Sequence, residues 1–277
     1  MKPNTNNITV IRPSKGWRVV DIKELIEYRD LLYFLVVRGI KARYAQSVLG
    51  VGWAVIQPLA QTLIFTVVFG NLAGLSSDGV PYVLFSFVAM VPWNYFSGIL
   101  NESANSLVSN KNMLSKVYFP RLVLPFAAVL SKFLDFTIGG IVAIGFFIYY
   151  GYMPGLEVLV LPILIIIMIM TSLGTGMILS ALAVQYRDVN HAMSFLVRLL
   201  MYSAPIVYSI SIVPEKYLFW YSLNPMVGVI EGMRAALIGT RDLPWDLIGI
   251  GGAVSVILFV VGIFFFKRME SRFADIA

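Results

Sequence analysis

The chain has 277 residues, 58% of them hydrophobic and 13% charged, with a mean hydropathy of +0.81. That balance excludes a soluble globular domain and defines an integral membrane protein. The net charge of +6 would point to nucleic acid in a soluble domain, but here the bases flank apolar runs, where they set orientation and meet anionic membrane lipids, so no nucleic acid partner is expected. Cysteine is absent, which removes disulfide frameworks and thiol chemistry.

Residues 1–20 read as a polar tail; the stretch Met1 to Lys15 has no apolar core, so no cleavable signal peptide is expected. Residues 21–49 read as an amphipathic interface helix. Ile22, Leu25, Tyr28, Leu32, Leu35, Gly39 and Ala42 recur at helical spacing, with Glu24, Glu27, Arg38, Lys41 and Arg43 around that face. Asp21 and Glu24 form a capping box, and acids early with bases late suit the helix macrodipole.

Residues 50–277 then read as a transmembrane domain, with Trp53 as an interfacial anchor. Apolar runs of about the ~20 residues a bilayer requires occur near Trp53 to Ala73, Val80 to Leu100, Leu122 to Tyr150, Leu156 to Val184, Phe195 to Val213 and Leu247 to Phe266. About six spans are predicted. Leu159 to Met170 is continuously apolar, without the alternation of a membrane barrel strand, so the fold class is an all-α integral membrane protein.

The bases sort by connection. Arg29, Arg38, Lys41 and Arg43 precede the first span; Lys111, Lys116 and Arg121 follow the second; Arg187 and Arg198 follow the fourth; Lys267, Arg268 and Arg272 close the chain. The first and third connections, Asn71 to Gly79 and Gly151 to Gly155, hold no Lys or Arg. The positive-inside rule therefore places both termini in the cytoplasm, the long fifth connection being the one basic exterior segment.

That fifth connection, Pro214 to Trp245, contains two apolar helical pieces too short to cross, Tyr217 to Leu223 and Met226 to Ile238. They are expected to re-enter the membrane or lie in its interface. Asn224 and Pro225 supply an N-cap and first-turn proline, Gly239 a stop, and Glu231 can pair with Arg234. Two readings stand, a helical hairpin capping the bundle or an exit gate built on Tyr217, Trp220, Asn224, Pro225, Glu231 and Arg234. Within the spans, Lys132 and Asp135 are one turn apart and form an intramembrane pair. Gly139 with Ala143, and Gly176 with Ser180, permit close helix approach. In the second span Tyr82, Phe85, Trp93 and Phe96 share one helix face and are the candidate channel lining, with packing as the competing reading.

Clustered acids, bases or metal ligands are lacking, so neither a catalytic nor a metal site is expected; His191 stands alone in a connection. No phosphate-cradling Gly-x-x-x-x-Gly-Lys-Ser/Thr loop occurs, so ATP hydrolysis cannot belong to this chain. A lipid-modifying membrane enzyme and an ion-coupled transporter are two readings that stay open at this point.

The stretches YRDLLYFLVVRGIKARYAQSVLGVGWAVIQPL, SKVYFPRLVLPFAAVLSKFLDF, YRDVNHAMSFLVRLLMYSAPIVY and LNPMVGVIEGMR resemble the membrane subunit of ABC-2-type exporters, in particular polysaccharide permeases that export O-antigen or teichoic acid. Gly39 departs from the acid that resemblance leads one to expect. The resemblance implies a homodimer in the inner membrane, separate nucleotide-binding ATPase subunits carrying ATP and Mg, and a lipid-linked glycan as substrate; no cofactor is implied on this chain. It also implies ATPase-coupling contacts through Arg38, Lys41, Arg43 and Tyr44 on the first helix, Lys111, Met113, Lys116 and Tyr118 in the second connection, and Tyr186, Arg187 and Asp188 in the fourth.

Overall fold

The computed structural model of the chain describes residues 26–45, 47–186, 188–239 and 241–270. Their long regular elements are helices: α1 (Arg29–Tyr44), α2 (Trp53–Phe65), α3 (Tyr82–Ser109), the single turn α4 (Lys111–Leu114), α5 (Val123–Tyr150), α6 (Leu161–Gln185), α7 (Asp188–Tyr202), α8 (Glu215–Ser222), α9 (Pro225–Ile238) and α10 (Trp245–Glu270). The polar tail and the expected capping box of Asp21 and Glu24 lie outside the described residues.

Among the described residues, 5 helices are long and apolar enough to cross a membrane: Gly50–Leu72, which contains α2, then α3, α5, Leu156–Gln185, which contains α6, and α10. The segment expected as a further span, Phe195 to Val213, is divided. Helix α7 has 15 residues, about 22 Å, against the ~30 Å of a hydrocarbon core. It ends at Tyr202, three residues ahead of Pro205, which lacks an N–H and disfavours helical geometry in the residue before it.

Helix α3 is the axis of the bundle. In its apolar window 78% of residues are buried, against 11–28% in the other four long helices, because α2, α5, α6, α7 and α9 all pack on it. Lipid tails are as apolar as leucine, so close packing rather than water exclusion holds such helices together. The small residues supply it. A Cβ on Gly176 would lie 2.6 Å from the Ser103 Cβ, and one on Gly139 would lie 3.1 Å from a Val91 methyl. The Ser180 and Ser106 hydroxyls approach to 3.2 Å. Where α6 meets α10, backbones touch directly: a Cβ on Gly262 would stand 2.4 Å from the Gly174 carbonyl oxygen.

Helices α8 and α9 have 8 and 14 residues, about 12 and 21 Å, too short to span. The start of α9 is capped as its sequence dictates: the Asn224 side chain accepts from the Met226 N–H at 3.1 Å, and Pro225 fills the first turn. Gly239 ends it at φ +71°, a left-handed conformation natural to glycine. Every residue of α9 except Leu237 is buried, packed against α3, α6 and α10.

Candidate conduit, gate and coupling sites

At the C-terminal end of α1, the Arg43 guanidinium sits between two carboxylates, 2.5 Å from Glu102 of α3 and 2.8 Å from Asp135 of α5. The Lys132 ammonium closes the ring, 3.3 Å from Glu102 and 3.5 Å from Asp135. The Ser131 hydroxyl donates to the second Glu102 oxygen at 3.1 Å, and the Tyr44 hydroxyl donates to the second Asp135 oxygen. Two positive and two negative charges cancel. Burial, and then the bond to Asp135, push the Tyr44 hydroxyl up to about 12, so it stays a donor at neutral pH.

The expected pair of Lys132 and Asp135 is formed, within a larger network that also takes in Arg43 and Glu102. The second span was expected to end at Leu100, whereas α3 continues to Ser109 and carries Glu102 with it. Glu102 and Arg43 are both signals the sequence shows, but their separations of 59 and 92 residues from their partners hide the pairing. Gly39 allows the approach: its absent Cβ would be 3.3 Å from the Ser131 Cβ, so a larger side chain there would press α1 away from α5.

The residues expected to contact an ATPase fall into two groups. Arg43 and Tyr44 turn into the bundle as just described. Arg38, Lys41, Lys111, Lys116, Tyr118, Tyr186 and Asp188 are exposed, while Met113 packs against the core. Arg38 donates to the Asn110 side chain at 2.6 Å, which joins α1 to the second connection. Arg187 lies outside the described residues.

The aromatic face of α3 is a packing face. Phe85, Trp93 and Phe96 are 3%, 2% and 3% exposed, and Trp93 stacks obliquely on Phe96 at 5.4 Å. Tyr82 is half-buried, its hydroxyl donating to the Val207 carbonyl. The periodicity is as read, but a helix surrounded by five others buries its large apolar side rather than presenting it to a channel.

At the other end of α3 the Glu231–Arg234 pair is formed, at 2.7 Å, and both side chains are buried. Arg234 also donates to the Phe85 carbonyl at 3.2 Å and the Ile206 carbonyl at 2.9 Å, and its guanidinium lies 3.5 Å from the Phe85 ring centroid. Such a charge is tolerable in an apolar setting because it is paired with a carboxylate and each of its three nitrogens donates a hydrogen bond. Asp78, in the first connection, accepts from the Ser209 and Ser211 hydroxyls and pairs with Arg241 at 3.2 Å. A cavity of about 130 Å³ lies among Asp78, Phe85, Glu231, Arg234 and Arg241. Tyr217 and Trp220 of α8 are exposed, outside this cluster. The pairing of Asp78 with Arg241, one of the bases of the fifth connection, was not read from the sequence, since charges in separate connections carry no pairing signal.

A helical bundle with an apolar outer surface and five helices long and apolar enough to cross a membrane among its described residues is the architecture of a multi-pass membrane protein. The chain belongs to the ABC-2 type transporter family, whose model matches residues 30–238. Its relatives are transport proteins. It is 29% identical to the O-antigen export system permease protein RfbA of Myxococcus xanthus over 256 residues, 92% of this chain and 98% of that one. The RfbA protein of Klebsiella pneumoniae is 30% identical over 248 residues, 89% of this chain and 95% of its own. The polysialic acid transport protein KpsM of Escherichia coli is 23% identical over 209 residues, covering 74% of this chain and 80% of that one.

Proposed function

We propose that this chain is the membrane-spanning permease of an ATP-driven exporter that moves a lipid-linked, O-antigen-like polysaccharide across the cytoplasmic membrane. Near full-length similarity to two O-antigen export permeases carries this reading. Two copies of the chain form the conduit, and ATP with Mg acts on separate nucleotide-binding subunits. The exposed Arg38, Lys41, Lys111, Lys116, Tyr186 and Asp188 receive those subunits at the cytoplasmic face, and both termini lie on that side. The ionic joint of Arg43, Glu102, Lys132 and Asp135 passes motion of α1 to α3 and α5, while α9, with its buried Glu231–Arg234 pair, closes the exit.

Deletion of the gene in its native cell tests this. Surface polysaccharide should be lost and lipid-linked glycan should accumulate inside, with both restored by the intact gene. Unchanged surface polysaccharide in the deletion strain would overturn the reading. Purification of the tagged chain should recover an ATPase bearing a phosphate loop; an Asp188→Ala, Lys41→Ala variant should recover several-fold less of it.

A further inference from the structure

Between Leu84 and Leu107 every residue of α3 is buried except Asn94, Ser97, Gly98, Asn101, Glu102 and Asn105. No apolar side chain is among them. At 100° per residue, Asn94, Ser97, Gly98, Asn101 and Asn105 fall within an arc of roughly 100°, whose centre lies about 120° round the helix from that of the buried Trp93 and Phe96. The stripe continues onto α2, where Gln61 accepts from the Asn94 amide at 3.2 Å and Gln57, one turn earlier, is exposed. Hydrocarbon cannot satisfy amide groups, so an accessible amide face along a helix long and apolar enough to cross a membrane belongs to a passage or an interface.

We infer that this amide stripe, and not the aromatic face, lines the inner half of the conduit and binds the hydroxyl groups of the glycan in transit. The inference rests on the permease reading above. Asn101 spends one amide N–H on the Ser97 carbonyl at 2.8 Å, and Asn105 one on the Asn101 carbonyl at 3.0 Å. Each keeps a second N–H and its Oδ1, for which no partner occurs among the described residues. Such groups both donate and accept, as sugar hydroxyls do. From Asn94 to Asn105 the stripe runs about 16 Å along the helix, one amide or hydroxyl per turn. Its single charge, Glu102, is already held by Arg43 and Lys132, so the wall offers hydrogen bonds without a net charge that would trap a sliding polymer. A second copy of the chain is the other occupant to weigh. The outward faces of the spans are apolar instead, with Ile141, Ile144 and Ile148 on α5 and Val256, Ile257 and Val260 on α10 exposed, and offer those amides nothing in return.

The cysteine-free chain permits a direct test in the complex with its ATPase. Asn101→Cys and Asn105→Cys should react with a hydrophilic methanethiosulfonate reagent at least tenfold faster than the outward-facing Ile144→Cys. The reaction should slow several-fold in membranes from cells making the glycan, compared with cells blocked in its synthesis. An Asn101→Leu, Asn105→Leu variant that still inserts should lose at least tenfold in export, while Asn101→Gln, Asn105→Gln retains it. Reactivity no greater than at Ile144, equal rates with and without glycan, or normal export by the leucine variant would each overturn the inference. Export by the unsubstituted chain in the same cells is read separately. Its absence would refute the permease reading, whereas its presence with an unreactive stripe refutes the conduit wall alone.

Discussion

Replacing Arg43 by methionine keeps an unbranched side chain of similar reach and removes the charge at the centre of the ionic joint. Two charge-assisted hydrogen bonds disappear, at 2.5 and 2.8 Å. Such bonds contribute about 1.5–3 kcal/mol each, and partners 19–34% exposed in their side chains belong near the low end. The sum is about 3 kcal/mol. Lys132 remains beside both carboxylates and recovers part of it, leaving about 2 kcal/mol, which is roughly a 30-fold rise in the population with α1 detached. Leu35 is a clean reporter, being buried by the docking of α1. A single Leu35→Cys should be labelled by maleimide at a rate that scales with the detached fraction. Labelling should therefore be about 30-fold faster when Arg43→Met is added. Neutralising one acid as well, with Glu102→Gln, should recover much of the difference, because Lys132 and Asp135 then balance one another and no acid is left unpaired. An acceleration below about threefold would mean that apolar packing alone holds α1 and that the joint adds less than ~1 kcal/mol.

Sidedness is tested by labelling intact cells with an impermeant thiol reagent: Ser76→Cys should react, Asn112→Cys should not, and the reverse would overturn the orientation drawn from Lys and Arg placement. Gly262→Ala drives a methyl to 2.4 Å from the Gly174 carbonyl, so it should cost about 1–3 kcal/mol and lower the thermal midpoint. Gly249→Ala, whose Cβ would meet nothing within 4 Å, is the control, and equal midpoints would refute the contact. Tyr44→Phe removes the hydroxyl bonded to Asp135 and should cost about 1.5 kcal/mol. Because the Tyr44 pKa rises from 10.0 to about 12 on folding, that contribution is complete below pH 10 and fades as pH climbs through 12. The stability gap to Tyr44→Phe should be flat near neutrality and narrow above about pH 10; a gap that narrows on acidification instead would contradict this.

Local features were legible in the sequence. Asn224, Pro225 and Gly239 announce α9 because caps and stops act within one turn, and Gly176 with Ser180 announces a contact because only small residues permit it. Partnership over distance was not. Glu102 lies where an apolar run fades, so it reads as a connection until the helix is seen to continue to Ser109. The aromatic face of α3 illustrates a different ambiguity, since rings at helical spacing look alike whether they meet neighbouring helices or a passage. The amides on the neighbouring arc carried the sharper signal: a polar residue in a span requires a partner, whereas an aromatic one does not. Pro205 was visible, but its effect on a span depended on where α7 began.

The ionic joint also dictates an order of events during synthesis. Glu102 would be a solitary acid if α3 met lipid by itself, yet Arg43 lies 59 residues earlier in the chain and is already made when α3 emerges. Lys132 and Asp135 then arrive together on α5, one base and one acid, so the sum is neutral after each pairing. Ribosomal order alone thus spares the growing chain an uncompensated charge in the bilayer. An Arg43 variant is consequently exposed to degradation as a half-made α2–α3 hairpin, before any question of transport arises.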